Sequence, residues 1–184
     1  MRCLSKQSTR PAAAFCRWAS LHSRPAPACR VVPSIGDAKP HRIHAVLREA
    51  TVSDLPGIWR VRYAVQENLL TPGRISDEDV RREIEETGRG WVVVEGGEIR
   101  AFAICNGQTG NIWALFVHPD SQGAGYGSLL HDQMLAWLST RKAPTPWLTT
   151  GPSTKARGFY ERRGWVLVSA PENEDARFER ANAA

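Results

Sequence analysis

The 184 residues fit one ordinary domain, and 42% hydrophobic with 23% charged residues are the proportions of a globular chain. A mean hydropathy of −0.37, with no run near the roughly 20 apolar residues of a membrane-spanning helix, excludes a membrane protein of that kind. The net charge of +5 points to nucleic acid only until it is located. Seven of the 24 basic residues and one of the 19 acids lie in residues 1–40, leaving 17 and 18 and a net charge of −1 for the rest, so no basic folded face is expected.

Residues 1–40 are basic, rich in Ser and Ala and free of acids before Asp37, the composition of an organellar targeting segment. Five prolines interrupt any long amphipathic helix there. The segment is read as a disordered extension, a targeting signal or the product of an upstream start, and is kept apart from the domain expected over residues 46–181. Cys3, Cys16 and Cys29 fall in it, and Cys105 sits alone in an apolar run of the body. No disulfide framework and no zinc site follow from that spacing, and Cys105 reads as a small buried hydrophobe.

In the body, strand and helix signals alternate, as in an α/β or α+β domain. A short strand at Val46 to Arg48 precedes Ser53-Asp54, a helix cap, and a helix carrying Ile58, Val61, Arg62 and Val65. Pro72-Gly73 marks a loop. Ser76 with Asp79 three residues on forms a capping box opening a polar surface helix over Val80 to Glu86. Trp91 to Val94 and Ile99 to Cys105 flank Gly96-Gly97 as a hairpin. Ile112 to Val117, almost wholly apolar, suits a strand covered on both faces. Leu130, Met134, Trp137 and Leu138 recur at helical spacing, and Trp147 to Thr150 is a further strand. Ala156, Phe159 and Tyr160 share a face of a short helix ended by Gly164, and a strand at Val166 to Val168 pairs with Arg177 to Arg180.

Between the apolar strand and the long helix stands Gln122-Gly123-Ala124-Gly125-Tyr126-Gly127. Backbone N–H groups gathered at a helix start bind phosphate, and glycine lets the ligand approach closely. The spacing is neither that of a Walker A loop nor G-x-G-x-x-G. With His118-Pro119-Asp120 before it, the segment resembles the acetyl-CoA motif Q/R-x-x-G-x-G/A of the GNAT acetyltransferase superfamily. Ala156-Arg157-Gly158-Phe159-Tyr160, continuing to Gly164-Trp165, resembles a second block of that superfamily. Two departures stand out: Ser153 where many members have Asn, and no acid on the strand Ile112 to Val117.

The resemblance implies a fold with a mixed, mostly antiparallel sheet of about six to seven strands and about four helices. It implies acetyl-CoA as co-substrate, no metal, and transfer of acetyl to an amine by direct attack in a ternary complex. The amides from Gln122 to Gly127, with Ser128 following, would hold the pyrophosphate. Leu115, Phe116 and Val117 would pair with the pantetheine arm, and the Val117 N–H would polarise the thioester carbonyl. Tyr160 would be the general acid. Glu67 is the candidate proton acceptor, weighed against an exposed carboxylate or a water chain doing that work. Trp59, Trp91, Trp113 and Tyr63 either line an acceptor pocket or belong to the core. The expected protein is cytoplasmic, monomeric or homodimeric, with a small-molecule, peptide or protein amine as acceptor and neither nucleic acid nor membrane as partner. The alternative is a catalytically silent acyl-CoA-binding module.

Overall fold

A computed structural model describes residues 44–67, 70–141, 144–151, 154–172 and 175–180; the extension before residue 41 and Ser153 lie outside them. Strand β1 (Val46–Glu49) pairs antiparallel with β2 (Gly88–Glu95), β2 with β3 (Glu98–Asn106), and β3 with β4 (Ile112–Val117). A second antiparallel sheet has the order β5-β7-β6, from β5 (Trp147–Thr150), β6 (Val166–Ser169) and β7 (Ala176–Glu179). The expected strand at the C-terminal end is present, and it lies between β5 and β6, pairing with both.

The hairpin between β2 and β3 turns through Gly96 and Gly97, at φ 62° and 80°, backbone values that a two-residue turn of matching twist requires and side chains resist. Alternation along the buried strands divides the core in two. Val92, Phe102, Ile104 and Ala114 face α1 (Leu55–Ala64) and α2 (Asp77–Glu85), meeting Ile58, Val61, Val80 and Ile84. Trp91, Val93, Ala101, Ala103 and Cys105 face the other way, onto Leu130, Met134 and Leu138 of α3 (Tyr126–Ser139). Leu148, Phe178, Trp165 and Tyr160 of α4 (Lys155–Glu161) complete that second core. Each fully buried Val, Leu, Ile, Phe or Met among them contributes about 1.5 to 3 kcal/mol against its exposed state.

The start of α2 follows its sequence: Ser76 Oγ accepts the Asp79 N–H at 3.1 Å, and the Asp79 carboxylate accepts the Ser76 N–H at 2.9 Å. The start of α1 departs from expectation. Asp54 stands at the cap position, but its carboxylate turns back onto Arg48, which holds both oxygens at 2.7 Å, and onto the Thr51 N–H at 2.9 Å. That guanidinium pulls the Asp54 carboxyl below the ordinary range of an aspartate. No described helix is long and apolar enough to cross a membrane.

Candidate active site

Strands β4 and β5 meet at one point among the described residues, a parallel bridge between Asn111 and Trp147, where the Trp147 N–H donates to the Gly110 carbonyl at 3.1 Å. Beyond it a cleft of about 280 Å³ opens between them. The hydrogen-bond phase of β4 decides what that cleft receives. His118 N–H donates to the Arg100 carbonyl of β3 at 2.8 Å, and successive main-chain groups of a strand point to opposite edges. Phe116 therefore turns its N–H and C=O toward β3, while those of Val117 and Leu115 point off the free edge of β4 toward the cleft.

At the end of β4 the chain makes a tight turn, Pro119–Ser121, in which His118 Nδ1 accepts the Asp120 N–H at 3.3 Å. The ring thereby shapes the loop. Gly123 and Gly125 follow at φ 83° and 87°. Gly125 is the N-cap residue of α3 and no side chain caps that helix start. The first N–H groups of a helix have no partner inside it, and Leu129 N–H is bonded to the Gly125 carbonyl at 3.0 Å. Ahead of it the Gln122 and Ala124 amides bond back to the Pro119 and Ser121 carbonyls at 3.2 and 3.4 Å, which leaves those of the helix start from Gly125 to Ser128 for a ligand. A Cβ built at Gly123 or Gly125 would meet nothing within 4 Å, so the space before these amides is open. An uncapped, glycine-led helix start beside a free strand edge fits the diphosphate and amide-bearing arm of coenzyme A.

Leu115, Phe116, Val117, Gln122, Gly127, Glu67 and Tyr160 all line the cleft. Gly123, Ala124, Gly125, Tyr126 and Ser128 lie in the loop and first turn at its end. Of the four candidate acceptor aromatics, Trp113 lines the cleft. Trp91 is 2% exposed in the core, and Trp59 stacks on Tyr63 with ring centroids 5.6 Å apart. Tyr160 is 6% exposed, and burial raises its phenol above the ordinary tyrosine value. Its ring packs edge-on against Phe159 and Trp165 at 5.2 and 5.5 Å.

Glu67 lies three residues beyond α1, and its carboxylate is held by Lys155 through both oxygens: Nζ to Oε1 at 2.9 Å and the Lys155 main-chain N–H to Oε2 at 3.2 Å. That lysine lowers the Glu67 pKa, which makes the carboxylate a weaker base. Sequence reasoning missed Lys155, whose only signal is its place one residue before the Ala156 block. It also missed His131, buried at 1% exposure behind Tyr160, although spacings of three and seven residues to Met134 and Leu138 put it on the apolar face of α3. Among the described residues no three His, Cys, Asp or Glu side chains are grouped to hold a metal ion.

A model of the acetyltransferase (GNAT) family matches residues 58–165. The chain belongs to that family. A relative, the ribosomal protein bS18 alanine N-acetyltransferase of Haemophilus influenzae, is 30% identical over 83 residues, 44% of this chain and 57% of the relative. The match thus spans little more than half of that enzyme's length. The GNAT fold is also that of solved structures. The ribosomal-protein-S18-alanine N-acetyltransferase of Escherichia coli superposes with a TM-score of 0.60 at 18% identity, covering 74% of this chain and 91% of that one. The PaiA N-acetyltransferase of Thermoplasma acidophilum, in complex with coenzyme A, gives 0.65 at 13% identity over 74% and 98%.

Proposed function

We propose that this GNAT protein transfers an acetyl group from acetyl-CoA directly to a primary amine, with the α-amine of a protein N-terminus as the favoured acceptor class. The observation that carries the reading is the convergence of the uncapped α3 start, the free edge of β4 and Tyr160 on one cleft. The likeness to alanine N-acetyltransferases supports the acceptor class.

Bound acetyl-CoA would supply an acetyl group already activated as a thioester. The amides at the start of α3, from Gly125 to Ser128, hold the diphosphate, and Leu115 with Val117 orient the arm along β4. Attack by the amine builds negative charge on the carbonyl oxygen, where a fixed Val117 N–H stabilises the transition state more than the ground state. The new C–N bond forms as the C–S bond breaks; Tyr160, a phenol and so protonated at neutral pH, gives its proton to the departing sulfur. The amine's own proton leaves to water.

The second reading, a silent acyl-CoA sensor, is favoured by the absence of an acid on β4. Calorimetry with acetyl-CoA, followed by thiol release against N-terminal peptides, lysine peptides and small amines, separates the two. Binding with turnover on at least one amine is expected; binding without turnover on any supports the sensor, and no binding removes both.

A further inference from the structure

Among the described residues, Glu67 and Lys155 are the only charged ones that line the cleft. They come from different parts of the fold, the segment after α1 and the first residue of α4, 88 positions apart in the chain. In a cleft otherwise walled by apolar and neutral groups, each is the other's natural partner, and one of them is a primary ammonium. A primary amine acceptor is also an ammonium when it reaches the protein at neutral pH, since α-amino and lysine groups titrate near about 8 and 10.4. It needs a carboxylate to receive it, and this cleft offers Glu67.

We infer that Glu67 is the group that receives the acceptor's ammonium, and that Lys155 Nζ occupies that place until an acceptor displaces it. The two hydrogen bonds of the carboxylate have different fates. The Nζ bond belongs to a side chain that is 80% exposed, so its release into water is easy and its loss costs little. The main-chain N–H of Lys155 cannot swing away. It keeps the other oxygen fixed at the start of α4, and the carboxylate stays aimed at the cleft after the lysine has left. Lys155 is thus a tethered competitor on one atom and a positioning group on the other. A carboxylate, titrating far below an amine, is ionised wherever the acceptor is still charged.

This inference rests on the proposed acetyl transfer and sharpens its acceptor end. Steady-state kinetics of the full chain, with thermal melting as a folding control, tests it on the same panel of N-terminal peptides, lysine peptides and small amines. Glu67→Gln is expected to raise the acceptor KM about tenfold, the scale of one lost charge-assisted hydrogen bond, with the acetyl-CoA KM unchanged. Lys155→Met retains the main-chain bond and removes the competitor, so the acceptor KM should fall several-fold. An acceptor KM that rises or stays level in Lys155→Met overturns the inference, as does a Glu67→Gln defect confined to kcat, which would assign proton removal instead. Acetyl-CoA binding without turnover by the wild type on any amine removes the transfer reading itself, and the inference falls with it.

Discussion

Tyr160 and Cys105 are two titratable side chains whose protons burial holds in place, one on the cleft and one away from it. The Tyr160 phenol lines the cleft, and desolvation keeps its proton in place. Tyr160→Phe removes one oxygen and leaves the packing against Phe159 and Trp165, so kcat should fall by about 10² or more, the usual share of a general acid, while calorimetry finds acetyl-CoA affinity little changed. An unaltered kcat would remove the assignment. Cys105 is fully buried on β3, and desolvation pushes its thiol up to about 12. It should escape alkylation by iodoacetamide at pH 8 in the folded protein and react once the protein is denatured, as peptide mass mapping would read. Neither contrast follows from residue type; it follows from what lies around each atom.

At the scale of elements, the start of α3 is where sequence and structure agree most closely. Gly125 adopts φ 87°, a value that costs an alanine about 1 to 2 kcal/mol. A Cβ there meets nothing within 4 Å, so Gly125→Ala strains the backbone without a clash. Its effect should appear as a modest drop in Tm and a larger loss of acetyl-CoA affinity, about tenfold or more, because the amides at the helix start no longer converge. Equal losses in both would mean that the loop serves the fold rather than the ligand. That loop, the Gly96-Gly97 hairpin and the apolar β4 were legible because each depends on chemistry local in the chain. The insertion of β7 between β5 and β6 was not, since period and turn residues say that a strand exists and not which edges it finds. The ion pair of Glu67 and Lys155 was illegible for the same reason, and Asp54 was misread because Arg48 outcompetes the α1 amides for its carboxylate.

At the scale of the whole molecule, stability against acid turns on a histidine that ties α3 to the second sheet. His131 Nε2 accepts the Trp165 indole N–H at 3.0 Å, which assigns the ring proton to Nδ1, facing Asp132 Oδ1 at 3.0 Å. Arg163 closes the cluster, donating to that same carboxylate oxygen at 2.6 Å, with its Nη1 also 3.1 Å from Nδ1, where two N–H groups face each other. A second proton would have to go onto Nε2, where it would oppose the indole N–H donor. Burial, first, and then the nearby Arg163 and Arg180 lower the His131 pKa, outweighing Asp132. The sign follows from linkage. Unfolded histidine titrates near about 6.5; below that pH the unfolded chain binds a proton that folded His131 refuses, so the folded state loses stability as pH falls. The contribution is complete above about 6.5 and is lost progressively from there down to the lower folded pKa, at no more than about 1.4 kcal/mol per pH unit. Tm should therefore decline between pH 7 and pH 5, and His131→Gln, whose amide oxygen can still accept from Trp165 and whose side chain does not titrate, should flatten the decline at some cost in Tm at neutral pH. Parallel Tm profiles for the two proteins across that range would show that the acid loss originates elsewhere. Because the same ring packs against Tyr160 with centroids 6.4 Å apart, charging it in the folded protein would loosen the wall that holds the proposed acid, so kcat should begin to fall only at the lower pH where folded His131 itself takes up a proton, below the pH at which Tm starts to decline.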